Sequence, residues 1–461
     1  MAIKAARSTK KKSPQLVQTP ELKNLVTSKD TKTTDVHNWY FFPHSFSPNL
    51  IDFLLNKYAK NQKQIDGRLL DMFSGGGTSI LRAKQLGLNA DGFDIMPLSV
   101  CVGNAKLQIY NEKEIKKHLK KIIKEPEVEI LDLINNIPEK FVTSIFLEGT
   151  LARLFYIKKA ILQTPVHIQD FFLTALLKTV EETMNAKKAG GFLRGSPRKR
   201  KSATVSIPIQ EIDKKVHTTI EEAVKQFIHI VNGMLLSKPE FNEASPNCQI
   251  QLGDARAIPK PAELYKWVIT SPPYPNRQDY TRIFATELLF TFSEDLENHK
   301  TLRYSTLRSH PEAKAPTCKV TGYTEPTILK SLEEKMISNF NIEREKKMER
   351  AKQRGEVKKF GKFDARLGRM LRGYFEDMYL VLQSLRPHLH KDAHVCFVVS
   401  NVRHFGVSVE VDKLLAEIAE NIGYTCKEIL VARERGNSAQ QMRLYTRSPS
   451  RESIVVLQPT P

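Results

Sequence analysis

The sequence predicts an α/β protein with a parallel β-sheet at its core and two long, mainly helical insertions. An apolar strand at 68–73 precedes a glycine cluster, a helix at 78–87 and a second strand at 89–95. Two strands joined through a helix in this way lie parallel in one sheet. Helices and strands alternate again near the end of the chain, so further strands of the sheet are expected there.

The other elements follow from hydrophobic periodicity and from residues that are typical of helix ends. A helix is predicted at 47–60, because Ser47 suits the N-cap and Pro48 the first helical position. Further helices are predicted at 285–292, 370–386 and 411–423, and further strands at 248–255, 267–274, 394–402, 424–435 and 452–459.

These elements divide the chain into one sheet-forming domain and three additions. The domain is expected to comprise three stretches, 35–110, 245–295 and 370–461. The additions are a basic, flexible N-terminal segment at 1–34, a mainly helical insert with a basic segment at 111–244, and a basic insert at 296–369.

The composition excludes several classes of protein. Hydrophobic residues make up 41% and charged residues 26% of the 461 residues, which excludes a fibrous protein and a wholly disordered chain. No apolar run reaches the roughly 18 residues of a membrane helix, and no apolar segment follows the basic start as in a secretory signal. The five cysteines lie far apart without a CxxC pair, which favours a reducing cytoplasm over disulfides or structural zinc.

Positive charge is concentrated in three stretches of the chain. Lys and Arg exceed Asp and Glu by 20, and residues 1–34, 187–201 and 343–372 carry net charges of +6, +7 and +7. The rest of the chain is therefore neutral. Such stretches are typical of polyanion binding through phosphate neutralisation, although a solvated tail or helix face has the same composition.

A glycine-rich turn after the first strand indicates a cofactor site. Glycines let the backbone approach a ligand, and the N-terminus of the following helix offers free N–H groups. Asp94, at the end of the next strand, can accept hydrogen bonds from both hydroxyls of a ribose. Because GxGxxG is absent, phosphate binding is not required. We expect a nucleoside-bearing cofactor to contact Asp71, Phe73, Ser74, Gly75, Gly77, Thr78 and Asp94.

A Thr-Ser-Pro-Pro-Tyr turn at 270–274 is the most specific motif in the chain. It follows an apolar strand, which places it at the carboxyl edge of the sheet, where doubly wound folds bind ligands. The prolines leave carbonyl groups as acceptors, Ser271 adds a hydroxyl, and Tyr274 adds a flat surface for stacking. The turn therefore suits the exocyclic amino group of a planar base.

Both motifs together resemble those of the DNA amino-methyltransferases, which transfer the methyl group of S-adenosyl-L-methionine (AdoMet) to cytosine N4 or adenine N6. The glycine turn looks like their cofactor motif, with Met72 in place of the usual proline and Gly76 at the variable position. The resemblance adds Phe46, Asp254 and Thr270 to the expected cofactor contacts. It covers about 40–110, 248–295 and 370–461, and it implies a Rossmann-like AdoMet-dependent methyltransferase fold.

The resemblance also implies direct methyl transfer to a base that is flipped out of the duplex. Ser271, Pro272, Pro273 and Tyr274 would form the catalytic turn, in which Tyr274 stacks on the base and Ser271 and the Pro272 carbonyl accept the amino hydrogens. The Ser form of the turn is commoner in the cytosine-N4 branch. Site-specific cytosine-N4 methylation of double-stranded DNA is therefore expected, in a bacterial or archaeal cytoplasm and without a metal ion.

DNA contacts are expected from two parts of the chain. One part follows the catalytic turn and the other is the basic segment of the first insert, and the residues are Arg277, Tyr280, Arg282, Lys199, Arg200 and Lys201. Target recognition could belong to either insert or to both. We expect a monomer that binds no membrane, and any cognate restriction endonuclease of a restriction–modification system would act separately.

Four other functions are compatible with parts of this pattern. Adenine-N6 methylation of DNA would keep the fold and change the target base. RNA or protein methylation would use a related Pro-Pro-Tyr turn, but the Ser form and the closing residues at 433–438 favour DNA. A non-catalytic DNA-binding protein does not require the intact motifs, and a nicotinamide-dependent oxidoreductase leaves the Ser-Pro-Pro-Tyr turn unexplained.

Overall fold

The strands of the protein are placed by a computed structural model. It describes residues 14–59, 65–124, 145–146, 148–189, 192–195, 219–237, 241, 246–292, 296–316, 320–357, 359, 361–436 and 449–460. The strands are β1 (Leu16–Gln18), β2 (Arg68–Asp71), β3 (Ala90–Asp94), β4 (Ala186–Ala189), β5 (Phe192–Gly195), β6 (Cys248–Leu252), β7 (Tyr265–Thr270), β8 (Leu389–Ser400), β9 (Val402–His404), β10 (Val407–Val409), β11 (Tyr424–Arg435) and β12 (Ser450–Pro459).

The helices lie close to the predicted positions, and the described parts of both inserts contain further helices. They are α1 (Leu22–Leu25), α2 (Asn49–Tyr58), α3 (Thr78–Gln85), α4 (Pro97–Lys106), α5 (Glu112–Ile122), α6 (Glu148–Leu162), α7 (Val166–Thr183), α8 (Ile220–Leu236), α9 (Tyr280–Ile283), α10 (Ala285–Thr291), α11 (Leu296–Ser305), α12 (Ile328–Gln353), α13 (Arg366–Leu385) and α14 (Val411–Glu420). Helix α2 begins one residue after Pro48, whose carbonyl accepts from Ile51. No helix of the described residues is long and apolar enough to span a bilayer.

Eight strands of the described residues form one sheet in the order β1-β11-β12-β8-β7-β2-β3-β6. Every neighbouring pair is parallel except the two that β12 makes with β11 and β8. Strands β2 and β3 are buried along their whole length, as expected for the centre of a parallel sheet. The predicted α/β class with a Rossmann-like methyltransferase sheet is confirmed.

Helices cover both faces of this sheet. One apolar core lies between the sheet and α2–α4 together with the first insert, and includes Leu50, Ile80 and Phe172. The second lies between the sheet and α12–α14, and includes Phe375 and Leu415. The two inserts therefore pack on opposite faces, and both leave the carboxyl ends of the parallel strands accessible.

The N-terminal part of the chain differs from the expected flexible segment. Residues 1–13 lie outside the described residues, but β1 pairs in parallel with β11 through Leu16 and Ile429. Leu22 and Val26 are buried in the first core. The polar composition of 1–34 had suggested flexibility, whereas a pairing with a strand some 400 residues away orders its second half.

The first part of the basic segment at 187–201 forms strands within the insert that was predicted to be mainly helical. Strands β4 and β5 form an antiparallel hairpin, and β5 lies against α9. Lys188 on β4 forms ion pairs with the fully buried Glu287 at 2.6 Å and with Glu181 at 2.9 Å. This charge is thus neutralised inside the fold and does not face solvent. The expected phosphate contacts Lys199, Arg200 and Lys201 lie outside the described residues.

Candidate active site

A cavity of about 1030 Å³, including its open side, lies at the carboxyl ends of β2, β3, β6 and β7. Ligands bind at this edge in parallel α/β sheets. The expected cofactor contacts that line it are Phe46, Asp71, Phe73, Ser74, Gly75, Thr78, Asp94 and Asp254. Two others, Gly77 and Thr270, lie behind its wall. We refer to this space as the first cavity.

Glycine is required in the turn between β2 and α3 by the backbone angles and by a neighbouring side chain. Gly75 and Gly77 have φ angles of 48° and 77°, in the left-handed region that favours glycine. A Cβ on Gly76 would lie 2.9 Å from Phe42, so this position also excludes a side chain. The turn therefore brings bare backbone to the wall of the first cavity, in front of the N-terminus of α3.

Asp94 ends β3 and is held in place by two backbone groups. Its Oδ2 accepts from the Gly75 N–H at 2.8 Å and its Oδ1 from the Met96 N–H at 2.9 Å. Burial raises the pKa of Asp94 to about 6, against the effect of these hydrogen bonds. Each carboxylate oxygen keeps a further lone pair, so the residue can accept two hydroxyl donors from a ligand.

Asp71 and Thr270 brace the ends of neighbouring strands. The Thr270 hydroxyl donates to the Asp71 carboxylate at 2.6 Å, and the Phe73 N–H donates to the same oxygen at 3.1 Å. Burial raises the pKa of Asp71. The fully buried Thr270 thus joins β7 to β2 and sets the distance between the catalytic turn and the glycine turn. Thr270 was expected to contact the cofactor, but it does not line the first cavity.

The Ser-Pro-Pro-Tyr turn separates the first cavity from a second one. Ser271 and Pro273 line the first cavity, whereas Ser271, Pro272 and Tyr274 line the second, which measures about 570 Å³ including its open side. The Ser271 hydroxyl donates to the Val398 carbonyl at 3.2 Å. Its hydrogen is thereby used within the protein, so its oxygen faces the cavities as an acceptor. Of the four residues of the turn, Ser271 lines both cavities.

Tyr274 is an un-ionised side chain on the wall of the second cavity. Burial, with the Glu452 carboxylate next in importance, raises the pKa of its hydroxyl above the usual value. The hydroxyl lies 3.4 Å from Ser271 Oγ, a long contact. The ring therefore offers a neutral planar surface to a ligand in the second cavity.

Two histidines, which the sequence pattern did not reveal, lie at the site, and one of them supports the turn. His404 on β9 is buried, and burial lowers its pKa to about 4, so the imidazole is neutral. Its Nε2 donates to the Pro275 carbonyl at 2.8 Å, since that oxygen can only accept. His310 lines the first cavity and contacts Thr306 at 2.9 Å. The segment at 306–310 belongs to the second insert, which therefore contributes to the cofactor side of the site.

The loop after the turn contains both exposed and buried members of the expected DNA contacts. Arg277 and Arg282 are exposed, as DNA contacts require. Tyr280 lines both cavities and packs edge-on against His44 with ring centroids 5.3 Å apart. Tyr280 is therefore positioned to contact a ligand in the cavities and not the phosphate backbone of DNA.

Asp279 has a structural role in that loop. It accepts from the Arg282 N–H at the start of α9 and forms an ion pair with Arg303. Asp279, His310 and Glu312 offer ligand atoms close together, but the Arg303 guanidinium pairs with both carboxylates. A guanidinium thus already supplies the positive charge that these carboxylates require.

Lys106 is a buried amine directly behind the glycine turn. Its side chain is 2% exposed, and Nζ donates to the Gly76 carbonyl at 2.9 Å and to the Tyr40 carbonyl at 3.2 Å. Burial lowers the pKa of Lys106 to about 7, with a smaller contribution from Lys178. A neutral amine has two N–H groups, which match these two acceptors. Lys106 therefore fixes the glycine turn to α4.

We expect the stability of the protein to rise with pH relative to a Lys106→Met variant. The folded pKa of Lys106 is about 7, below the usual lysine value of 10.5, so the unfolded chain binds more protons in the interval between them. The difference in unfolding free energy should be constant below pH 7 and then rise by up to about 1.4 kcal/mol per pH unit. Urea denaturation of both proteins at several pH values measures it. A difference that stays constant above pH 7 would contradict this role.

Comparison with curated proteins supplies relatives along nearly the whole chain. It is 29% identical to Type II methyltransferase M.BsoBI of Geobacillus stearothermophilus over 97% of this chain and 90% of that protein. It is 26% identical to Type II methyltransferase M.AvaI of Nostoc sp. over 94% of this chain and 88% of that protein. Type II methyltransferase M.MjaII of Methanocaldococcus jannaschii matches 20% of the chain at 28% identity. No family model and no solved structure matches the chain.

Proposed function

We propose that this protein methylates cytosine N4 in double-stranded DNA. Its similarity to Type II methyltransferases along nearly the whole chain supports this proposal and agrees with the resemblance to the DNA methyltransferases of restriction–modification systems. AdoMet would be the methyl donor, and the target base would be flipped out of the duplex. The protein would act at a specific sequence and protect DNA against a separate restriction endonuclease.

The residues of the first cavity fit AdoMet. Asp94 offers carboxylate oxygens to ribose hydroxyls, and Ile95 and Ala255 offer apolar surface to an adenine. Asp254 offers an acceptor for the adenine amino group, and its side chain stays 35% exposed although it pairs with Arg256. The glycine turn and Phe46 leave room for the amino-acid end. When bound, AdoMet supplies an electrophilic methyl group.

The observation that carries the proposal is the position of the catalytic turn between two cavities. An amino nitrogen that is held at the turn from the second cavity faces the first cavity, where the methyl donor would lie. Ser271 accepts one amino hydrogen and the Pro272 carbonyl another, which directs the nitrogen lone pair along the line of transfer. Tyr274 stacks on the base. These contacts position and polarise the reactants without a covalent intermediate on the protein.

The choice of cytosine N4 depends on the Ser form of the turn. Ser271 presents a neutral hydroxyl where the adenine-N6 branch more often has a carboxylate. The exposed Arg277 and Arg282 in the loop that follows the turn favour a polyanionic substrate. Both observations support DNA cytosine as the target.

Nucleoside analysis tests this function directly. Purified protein is incubated with methyl-labelled AdoMet and unmethylated double-stranded DNA of varied sequence, and the DNA is digested to nucleosides. We expect the label in N4-methylcytosine. The Ser271→Ala/Tyr274→Ala double variant, prepared in the same way, controls for contaminating methyltransferases and should give no labelled nucleoside.

Each other outcome rejects a defined part of the proposal. Label in N6-methyladenine would keep the fold, the cofactor and the site but reject cytosine as the target base. Label in RNA or protein but not in DNA would reject the substrate class. AdoMet binding without transfer to any of these substrates would favour a non-catalytic DNA-binding protein.

A further inference from the structure

We propose that Arg433 recognises the edge of the flipped base in the second cavity and thereby selects cytosine over adenine. This inference rests on the proposed function, because it assigns a specificity-determining residue to the same site. Arg433 is a residue of β11 and lines the second cavity together with Ser271, Pro272 and Tyr274. A cation is thus placed opposite the groups that would hold the amino nitrogen and the face of the base.

The backbone directs Arg433 into the cavity. Arg433 stands opposite Glu452 in the register of β11 and β12, and the ladder is irregular between Val431 and Arg433. Such bulges change the direction in which a side chain points and are frequent beside active sites. The side chain is 23% exposed, so it is neither a surface residue nor a core residue.

Glu452 holds the guanidinium in a single orientation. The Glu452 side chain is 4% exposed, and its Oε2 accepts a hydrogen bond from Arg433 Nε. Among the described residues, no hydrogen bond is found from the two terminal nitrogens of Arg433. These nitrogens carry N–H groups that suit the acceptors of a ligand, and the buried carboxylate, near which Arg435 also lies, balances part of the positive charge.

The geometry of a guanidinium explains the choice of base. Cytosine presents its amino group, N3 and O2 side by side, so two adjacent acceptors follow the amino group. Adenine presents its amino group and N1, followed by a C–H. With the amino group fixed at Ser271 and Pro272, two parallel N–H donors match N3 and O2 of cytosine. Adenine would leave one buried donor without a partner, which costs affinity.

Arg435 provides a matched control two residues further along β11. It lines the same cavity and carries the same charge, but its side chain is 54% exposed and its NH1 lies 3.8 Å from Glu452. An exposed arginine at the rim is expected to contact the DNA backbone, which positions the duplex and carries no base information. Replacing either arginine by an uncharged residue therefore removes a positive charge near the cavity, whereas only the replacement of Arg433 is expected to remove base recognition.

The test compares Arg433→Met, Arg433→Lys and Arg435→Met on the unmethylated DNA that wild type modifies. We expect Arg433→Met to lower N4-methylcytosine formation by at least about 100-fold, with the AdoMet Kd within about twofold of wild type. Arg433→Lys should recover only part of the rate, because one ammonium does not span two acceptors. Arg435→Met should weaken DNA binding in a salt-dependent way and lower the transfer rate by less than Arg433→Met does.

The discrimination between bases is the readout that a merely structural role would not change. Duplexes are compared in which the modified cytosine is kept or replaced by adenine, and the ratio of transfer rates is measured. We expect this ratio to fall by about tenfold or more in Arg433→Met. If the ratio and the cytosine rate equal those of wild type, Arg433 does not read the base, while N4-methylcytosine from wild type still supports the proposed function. N6-methyladenine from wild type would overturn both.

Discussion

Replacement of Tyr274 by alanine is expected to lower the rate of methyl transfer by about 100-fold or more and to leave AdoMet affinity nearly unchanged. The reason is the division of the site by the catalytic turn. Tyr274 lines the second cavity and not the first, so its ring can contact the base but not the cofactor. Without the stacking surface the flipped base loses affinity and the amino nitrogen loses its alignment.

Single-turnover transfer to DNA and calorimetric titration with AdoMet measure the two effects separately. Tyr274→Phe is the matched variant, because it keeps the ring and removes only the long 3.4 Å contact with Ser271. Its rate should stay within about fivefold of wild type. A large loss in Tyr274→Phe would instead assign the main role to the hydroxyl. Loss of AdoMet binding in Tyr274→Ala would contradict the separation of the two cavities.

The central fold and the two motifs could be predicted because their signals are local. The apolar runs of β2 and β7, the glycine cluster and the Pro-Pro pair each identify an element within a few residues. The rule for parallel sheets then places the ends of these strands at one edge. Asp94 and Ser271 are far apart in the chain, yet both line the first cavity as that rule requires.

The remaining parts of the site depend on partners that are distant in the sequence. The segment at 14–34 is polar, but β1 adds to the sheet beside β11, and Ser28 bonds to the Pro43 carbonyl on the wall of the second cavity. Lys188 counts as a basic residue, but the buried Glu287 neutralises it. Charge counts and periodicity do not identify such partners. The positions of Lys106 and His404 had no local signal for the same reason, and the closing segment at 433–438 did not reveal that Arg433 lines the second cavity.

AdoMet affinity is expected to depend on the ionisation of Asp94, which is the second large effect. The pKa of the Asp94 carboxyl is raised to about 6, and the ribose hydroxyls would donate to its ionised form. Binding therefore weakens as the pH falls through 6, because the ligand must then displace a proton. Asp94→Ala should lose about 30-fold or more in AdoMet affinity at neutral pH, as expected when two hydrogen bonds to a charged group are removed.

The pH dependence separates this role from a structural one. Calorimetric AdoMet titrations between about pH 5 and pH 8 should show a Kd that rises at the acidic end for wild type and stays level for Asp94→Asn. The Asn variant keeps an acceptor oxygen for one of the Gly75 and Met96 N–H groups, and its NH2 group faces the other, so its AdoMet affinity should be lower than that of wild type at every pH. Tyr274→Phe, altered only on the second cavity, should keep the wild-type pH profile. A wild-type Kd that does not change through pH 6 would show that Asp94 does not accept from the cofactor. A Kd of Asp94→Asn that still rises at acidic pH would place the titrating group elsewhere.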